Sequence, residues 1–351
     1  MIPVVDHILG YFSWDLAVDL GTANTLIYVG GKGLAIREPS IVATHKKTKK
    51  VIAIGLDAKK MIGKTPLNIT TIRPLRDGVI SDYDTTLAML SYFVHKVHKK
   101  PGFRFTFPRP RLVIGVPSQI TEVQRRAIFD VAKKAGAREA FLVEEPMAAA
   151  IGAAIGVEDA VGSMIVDIGG GTCEIAVISL GGIVVGRSLK IAGDTMDRDI
   201  ISYVRTRYGL AIGEKTAEEA KIQLGSAYIM GLEKQMTVRG RDLERGLPKS
   251  IKLTSAQVRE ALTPTISTIV ENIRDTINDT PPELASDIAE RGIVLCGGGS
   301  LIPGLPKLIS HEVKMPVAVA SEPLSCVVLG CAKLLSDKIL LERVKIERIS
   351  S

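Results

Sequence analysis

Two glycine-rich turns, one in each half of the chain, contain the residue types that bind anions. The first runs Asp19-Leu-Gly-Thr-Ala-Asn24 and the second Asp167-Ile-Gly-Gly-Gly-Thr172, each between aliphatic and β-branched residues. Gly, Thr and Asn tolerate the backbone angles of tight turns, so both segments predict strand, turn, strand. Backbone N–H groups of such turns close on an anion, and each aspartate could hold a divalent cation through water. The pair therefore predicts two related domains that bind a polyphosphate nucleotide between them.

Two adjacent carboxylates, Glu144 and Glu145, lie before Pro146 at a predicted strand-to-helix junction. The strand covers 140–143, and the alanine-rich helix after it is expected to end near Gly156. Proline is tolerated in the first turn of a helix, so the junction places both carboxylates at the edge of a cleft. From the residues alone, Glu145 could equally be a solvated carboxylate favoured by the helix dipole.

Hydrophobic periodicity and capping signals predict the elements that position these residues. The first half contains short strands, and the second half repeats the scheme after its own turn and adds a hairpin. The predicted helices cover 85–98, 121–135 with Thr121 as the cap, 194–207 with Asp194 as the cap, 255–277, 305–312 and 325–336. The hairpin covers 236–253 with turns at Gly240 and 246–248, and a last turn, Gly297–Ser300, follows the strand 293–295.

Composition describes a folded chain long enough for about two domains. Of 351 residues, 46% are hydrophobic and 24% charged, with a net charge of +7. Aromatic residues are only 4%, too few for a base-stacking surface, so no nucleic-acid partner is expected. Cys173, Cys296, Cys326 and Cys331 form no CxxC pair and are read as reduced core thiols. His95 and His98 are read as solvated, and no transition metal is assigned. No segment is apolar for long enough to span a bilayer, and the N-terminus lacks the pattern of a signal peptide.

The order and spacing of the motifs point to a family. Asp19–Thr22, Glu144–Ala150, Asp167–Thr172 and Gly297–Ser300 follow one another at full-domain spacing. In this the chain resembles the actin, Hsp70 and hexokinase superfamily and, within it, the MreB family of bacterial actins, also in stretches such as Ile62–Pro66. The resemblance implies an α/β, actin-like two-domain ATPase fold, with duplicated mixed sheets flanked by helices around a central nucleotide cleft. Domain I would comprise 1–148 and 325–351, with a small subdomain at about 33–75, and domain II 149–324, with one at about 190–250.

The resemblance also implies ligands and roles, with ATP and Mg²⁺ as the cofactors. Asp19 and Asp167 would hold Mg²⁺ through water, and Glu145 and Thr172 would position the water that attacks the γ-phosphate. The residues implied in phosphate binding are Gly21, Thr22, Ala23, Asn24, Gly169, Gly170 and Gly171. Those implied in nucleoside binding are Glu218, Glu219, Ala220, Lys221, Gly297, Gly298, Gly299 and Ser300. From the residues alone, 218–221 could be an ordinary solvated helix face and 297–300 a simple strand-to-helix turn.

Two surfaces are implied as interfaces. Phe103, Phe105 and Phe107 lie among the cations Lys99, Lys100, Arg104, Arg109 and Arg111. They match the loop that inserts into membrane in the family, although alternating Phe could also begin the strand at Leu112. The apolar N-terminus, which includes Ile2 and Phe12, lacks the lysines common in family members with a membrane-binding helix there. Val123 matches the surface that pairs protofilaments, although periodicity alone favours a core position. Cys173 replaces the usual Thr of the family, with little effect expected on hydrolysis.

The sequence thus predicts an ATP-dependent, membrane-associated, filament-forming bacterial actin that organises peptidoglycan synthesis and maintains rod shape. Hydrolysis would time filament turnover. The expected partners are further copies of the chain, an anionic membrane surface, the cell-wall elongation machinery and rod-shape membrane proteins. The expected location is the cytoplasm, at the inner face of the cytoplasmic membrane. The alternative is a small-molecule kinase or a chaperone-like ATPase on the same fold. No sugar pocket is evident, and a short Lys/Arg-containing tail leaves no room for a substrate-binding domain.

Overall fold

The structure is a computed structural model that describes residues 13–99, 108–229, 231 and 233–350. The predicted membrane residues Phe103, Phe105 and Phe107 and the N-terminal apolar stretch lie outside the described residues. The chain divides into two compact units. Unit 1 comprises 1–160, 178–183 and 324–351, and unit 2 comprises 161–177 and 184–323.

The main sheet of unit 1 has six strands in the order β19-β10-β9-β1-β2-β3. β1 is parallel to β9 and antiparallel to β2, and β9 is parallel to β10. The central strands are aliphatic and buried on both faces, as expected for a sheet covered on each side. The six strands are β1 (Leu16–Leu20), β2 (Asn24–Val29), β3 (Gly33–Pro39), β9 (Arg111–Val116), β10 (Glu139–Glu144) and β19 (Lys345–Ser350).

Unit 1 also contains two small sheets and six helices among its described residues. One small sheet has the order β5-β4-β6, formed by β4 (Val42–His45), β5 (Val51–Ile54) and β6 (Ile69–Ile72). The other pairs β7 (Leu75–Arg76) with β8 (Val79–Ile80). The helices cover Leu56–Lys59, Tyr83–His98, Glu122–Lys134, Glu145–Gly152, Cys326–Ser336 and Lys338–Val344.

The main sheet of unit 2 has five strands in the order β13-β12-β11-β17-β18, with β11, β17 and β18 parallel. These strands are β11 (Ser163–Ile168), β12 (Cys173–Ser179), β13 (Gly182–Leu189), β17 (Ile293–Cys296) and β18 (Val317–Val319). The tip of the β12–β13 hairpin groups with unit 1. A smaller antiparallel sheet joins β14 (Leu210–Ala211), β15 (Gln235–Asp242) and β16 (Pro248–Thr254).

Five α-helices of unit 2 surround its sheets and bury one apolar core against them. They cover Gly193–Tyr208, Glu214–Leu224, Ser255–Asn278, Pro282–Arg291 and Leu305–Val313, and a 3₁₀ turn covers Gly298–Leu301. Unit 1 has its own core between its sheet and the helices that cover it. No helix among the described residues combines the length and apolar content needed to cross a bilayer.

Local sequence signals place most element ends correctly. Thr121 caps the helix Glu122–Lys134 through a capping box with Gln124, as predicted from the sequence. Two other expectations are wrong. Asp194 is not a cap, because the helix already begins at Gly193 and Ala192 occupies the cap position. The alanine-rich helix ends at Gly152 and not near Gly156, since Ala154 adopts a left-handed backbone with φ 61°.

Two segments differ from the sequence prediction in type. Gly240 lies inside β15 and is not a turn residue. Glycine is required there because a Cβ would lie 2.3 Å from the Ala211 carbonyl oxygen of the neighbouring strand β14. The C-terminal residues form the helix Lys338–Val344 and then β19, which pairs antiparallel with β10. The predicted tail is thus an edge strand of the main sheet of unit 1.

Candidate functional site

The first glycine turn connects β1 to β2 and is fixed by hydrogen bonds from Ser40, the residue that follows β3. A Cβ at Gly21 would lie 2.7 Å from the Asn24 carbonyl oxygen, so only glycine fits this turn. The Ser40 hydroxyl donates to the Gly21 carbonyl at 2.6 Å, and the Ser40 N–H donates to the Ala23 carbonyl at 3.0 Å. The turn therefore has one defined shape within unit 1.

Thr22 has a structural role through its side chain. Its hydroxyl accepts a hydrogen bond from the Gly78 N–H at 3.0 Å, and the residue is buried. This bond ties the first glycine turn to the β7–β8 hairpin.

Glu145 and Asp19 lie close to the same buried thiol in unit 1. Both carboxylates raise the pKa of Cys331, whose burial raises it most. Asp19 is paired with Gly115 on β9, and a Cβ at Gly115 would lie 3.6 Å from Glu145 Cγ and 3.8 Å from Cys331 Sγ. The absence of a side chain at Gly115 thus lets the Val327 side chain approach β9, since a Cβ there would lie only 2.7 Å from Val327 Cγ1. Glu145 is only 8% exposed, so it is not the solvated carboxylate that the helix dipole alone would favour.

Close helix packing determines where Glu145 lies. Its helix contacts the helix Cys326–Ser336 backbone to backbone, because a Cβ at Gly330 would lie 1.8 Å from the Ala148 carbonyl oxygen and one at Gly152 would lie 1.9 Å from that of Cys326. Lys333 Nζ donates to the Ile151 carbonyl at 2.6 Å near the end of the helix. The start of this helix, and with it Glu145, is thereby held in place.

The second glycine turn connects β11 to β12 in unit 2. The Gly169 N–H donates to the Thr172 carbonyl at 2.9 Å and closes the turn. The turn also contacts the helix Gly193–Tyr208, whose Gly193 and Asp194 N–H groups donate to the carbonyls of Gly169 and Gly170 at 3.2 and 2.7 Å. Thr172 and Cys173 are both buried.

Asp167 is a buried carboxylate at the end of β11. Burial, and after it the charge of Glu174, raise its pKa to about 7, although a hydrogen bond with Cys296 opposes this rise. Glu174 is itself 1% exposed and accepts a hydrogen bond from the Ser188 hydroxyl at 2.5 Å. Two carboxylates therefore share this part of unit 2, which gives Asp167 an energetic reason to bind a cation when it is ionised.

The turn Gly297–Ser300 lies directly against the end of β11. Gly297 has φ +77°, and a Cβ there would lie 2.4 Å from Asp167 Oδ1. A Cβ at Gly299 would lie 2.3 Å from Ile168 Cγ2. The Ser300 hydroxyl donates to the Gly297 carbonyl at 2.7 Å. The structure thus brings this turn together with Asp167.

The segment Glu218–Lys221 lies on the helix Glu214–Leu224 and reaches the same region through Lys221. Lys221 Nζ donates to the Gly193 carbonyl at 2.9 Å and lies 2.9 Å from Asp197 Oδ1. Ala220 is fully buried, whereas Glu219 is exposed and 3.8 Å from Lys215 Nζ. This segment is therefore only partly a solvated face.

Val123 is exposed over 77% of its surface at the start of the helix Glu122–Lys134. The alternative that it is a core residue is therefore wrong. It therefore lies on the surface of unit 1.

Some site residues were not singled out from the sequence. Gly115, Cys331 and Glu174 lie in apolar strands or helices whose pattern indicates only core, and Asp197 reads as a polar position on a helix. Only Gly115 carries a signal, since a glycine inside a buried strand often marks a close approach. The other three contacts depend on residues that are distant in sequence.

The donor chemistry of the two aspartates fits Mg²⁺, which prefers carboxylate oxygen and keeps several waters. Within the described residues, no three His, Cys, Asp or Glu side chains come together as a metal cluster.

Comparison with known proteins decides the family. A family profile described as MreB/Mbl protein matches residues 13–343. The chain belongs to the MreB/Mbl family. The cell shape-determining protein MreB of Escherichia coli strain K12 is 51% identical over 330 residues, which are 93% of this chain and 94% of that protein. The cell shape-determining protein Mbl of Bacillus subtilis strain 168 is 45% identical over 326 residues, which are 93% of this chain and 97% of that protein.

Solved structures have the same fold as this chain. MreB5 of Spiroplasma citri bound to AMPPNP has a TM-score of 0.87 and 39% identity, over 94% of this chain and 98% of that one. A MamK double helical filament has a TM-score of 0.78 at 23% identity, over 92% of this chain and 99% of that one. The actin-like α/β fold predicted from the sequence is confirmed.

Proposed function

We propose that this chain is an ATP-binding, filament-forming bacterial actin that determines cell shape. It hydrolyses ATP slowly, assembles head to tail into paired protofilaments on the inner face of the cytoplasmic membrane, and organises peptidoglycan synthesis there. The elongation machinery and rod-shape membrane proteins are its expected partners. Relatives at 51% and 45% identity are named for cell-shape determination, which favours this function over a small-molecule kinase or a chaperone-like ATPase.

The observation that carries the proposal is the repetition of one arrangement in both units. In each unit an aspartate lies at or near the end of a strand that pairs in parallel with a neighbour, and a glycine turn of defined shape follows. Phosphoryl transfer depends mainly on positioning and electrostatics, which rigid turns and carboxylates supply. A relative at 39% identity has been solved with AMPPNP and with ADP, which supports a nucleotide as the ligand.

Each candidate residue has a role in this proposal. Asp19 and Asp167 hold Mg²⁺ through water, and bound Mg²⁺ neutralises charge on the β- and γ-phosphates. Backbone N–H groups of 21–24 and 169–171 donate to phosphate oxygens. Glu145 and Thr172 orient the attacking water. Residues 218–221 contact the nucleoside, and the bare backbone of 297–300 lies against the adenine.

Membrane association is proposed from the sequence of 103–107. Aromatic rings enter the headgroup boundary, while neighbouring cations meet anionic lipid. The chain carries a net charge of +7, which favours an anionic surface. Replacing Phe103, Phe105 and Phe107 with Ser should abolish co-sedimentation with anionic liposomes, and persistent binding would move the role to the N-terminus.

Electron microscopy of the purified protein on anionic lipid tests the proposal. With ATP and Mg²⁺ we expect paired filaments lying on the lipid, and without nucleotide we expect few or none. Hydrolysis of ATP with no filaments under any condition would contradict the proposal and favour a soluble kinase or a chaperone-like ATPase.

A further inference from the structure

The helix Gly193–Tyr208 begins without a capping side chain. Its first two N–H groups donate instead to the second glycine turn, Gly193 to the Gly169 carbonyl at 3.2 Å and Asp194 to the Gly170 carbonyl at 2.7 Å. The first N–H groups of a helix need partners, and here the turn provides them. The position of the start of the helix therefore determines where Gly169 and Gly170 lie.

Lys221 holds the start of this helix from the neighbouring helix. Its ammonium donates to the Gly193 carbonyl at 2.9 Å and pairs with Asp197 Oδ1 at 2.9 Å. The contact is tight, because a Cβ at Gly193 would lie 3.3 Å from Lys221 Nζ and 3.3 Å from the Gly169 carbonyl oxygen. Lys221, Gly193 and the turn thus form one contiguous set of contacts.

Asp197 is the partner that keeps the Lys221 ammonium at this place. The two side chains are only 16% and 13% exposed, so solvent screens the pair little. The pKa of Asp197 is raised to about 6, mainly by burial and further by Glu218 and Asp194, while the Lys221 ammonium opposes this rise. Burying the Asp197 carboxylate costs free energy, and its ion pair with Lys221 offsets part of that cost.

We propose that Asp197 is a positioning residue for nucleotide binding. It holds Lys221 Nζ on the Gly193 carbonyl and thereby fixes the Gly169–Gly171 turn in the shape that receives the phosphates. The inference rests on the proposed function, because it assigns this turn to phosphates. It links the segment 218–221 to the phosphate turn within unit 2.

The ratio of AMP to ADP dissociation constants, measured with Mg²⁺ by titration calorimetry, tests this role. In the proposed function this turn contacts the phosphates, so its displacement should weaken the binding of ADP more than the binding of AMP, which has no β-phosphate. We expect Asp197→Ala to lower the ratio about tenfold, as for loss of one charge-assisted contact. Asp197→Asn keeps an acceptor of the same size and should lower the ratio less, with thermal stability close to that of the parent protein.

Glu233→Ala is the matched control. Glu233 pairs with Arg259 at 2.6 Å in the same unit, and neither residue is part of the Asp197–Lys221–Gly193 set of contacts. This variant should leave the AMP to ADP ratio unchanged.

The outcomes separate the inference from the function on which it rests. A parent protein that binds neither ADP nor ATP would overturn the proposed function itself. A parent protein that prefers ADP, with the same preference in both Asp197 variants, would overturn the positioning role alone. Equal weakening of AMP and ADP would also overturn it, since that pattern marks general destabilisation. If Asp197→Ala does not fold, Asp197→Asn decides.

Discussion

Glu145 and Glu144 are neighbours in the chain, but their side chains lie in different surroundings. Glu145 is buried, and its Cγ lies 3.6 Å from the position that a Cβ at Gly115 would occupy. Glu144 instead lines a cavity of about 280 Å³ together with Arg125 and Arg343. The dipole at the start of the helix would stabilise both carboxylates to a similar extent. The difference arises because β10 ends at Glu144 and the helix begins at the next residue.

Replacing Glu145 with Ala should slow ATP hydrolysis by about a hundredfold or more while ATP still binds, since orienting water is worth this much in comparable enzymes. Single-turnover phosphate release measures the rate, and fluorescent-nucleotide titration measures the binding. Glu144→Ala is the control and should hydrolyse at the parent rate. Unchanged turnover in Glu145→Ala would remove this residue from the site.

Asp242 should make part of the stability of the protein pH-dependent. Its carboxylate accepts from the N–H groups of Arg245 and Glu244 at 3.0 and 2.9 Å and pairs with Lys249 at 3.0 Å. These contacts lower its pKa from 3.8 to about 2. A depressed pKa stabilises the folded state above pH 3.8, and the contribution is lost as the pH falls through about 2.

Asp242→Asn should therefore unfold at a lower temperature than the parent protein at pH 7. The difference should shrink as the pH is lowered below about 4, because the Asp242 carboxylate of the unfolded chain, with its pKa of 3.8, then takes up a proton while that of the folded protein, with its pKa of about 2, does not. Thermal unfolding at pH 7, 4 and 3 measures this difference. A gap of equal size at all three pH values would mean that the charge of Asp242 contributes nothing.

Sequence reasoning identified the residues with backbone roles more readily than those with side-chain partners. Gly21 and Gly297 are recognisable because a tight turn requires glycine wherever it occurs. The pairing of Asp197 with Lys221 joins two helices, and no spacing rule within one element predicts it. The failure of Asp194 as a cap has the same origin, since carbonyls from a distant turn meet the helix start.

At the level of elements, the helix Glu122–Lys134 has one buried face and one exposed face. Ile128, Phe129, Val131 and Ala132 are buried against the core of unit 1, while Val123 is exposed. An exposed valine costs little to replace, so its substitution should change assembly and not folding.

Val123→Glu should give single protofilaments in place of pairs, because facing carboxylates repel across a symmetric contact. Electron microscopy with ATP on anionic lipid counts single and paired filaments. Ile229→Glu is a control at an exposed apolar position of similar accessibility, 70%, on unit 2. Paired filaments in Val123→Glu would assign the pairing surface elsewhere.

Strand and helix positions followed closely from hydrophobic periodicity, but the role of the C-terminus did not. The sequence after Ser336 predicts only a short Lys/Arg-containing tail, although Ile, Leu and Val are interspersed with the charged residues. In the structure β19 covers the edge of β10, and an edge strand is often charged on its outer side. The local sequence pattern carries no signal for pairing with a strand that is distant in the chain, so it does not predict the strand β19.

For the whole molecule, a ligand that binds only the folded state raises the unfolding temperature. ADP with Mg²⁺ should stabilise the protein by about 2.7 kcal/mol at a hundredfold excess over its dissociation constant. Removal of the metal with EDTA should lose most of this gain, because the roles proposed for Asp19 and for Asp167 both depend on the metal. Scanning calorimetry measures both shifts, and the same shift with and without Mg²⁺ would contradict the assignment of the two aspartates.

The duplicated fold was predictable because each half repeats the same order of strand, glycine turn and strand. The division of the structure falls at 160 and 323, and the tip of β12–β13 belongs to unit 1. The sequence alone does not predict that 178–183 belong to unit 1, since this depends on contacts between residues that are distant in the chain. The smaller subdomains remain a prediction.

All four cysteines of the chain are buried and free, and burial raises the pKa of Cys173 and of Cys331. Thiol reagents attack the exposed thiolate, so these side chains should resist alkylation in the folded protein. The parent sequence is therefore a suitable background for site-specific labelling without prior removal of cysteine. A single cysteine placed at Val123 would carry a fluorophore whose emission reports the pairing of filaments in real time.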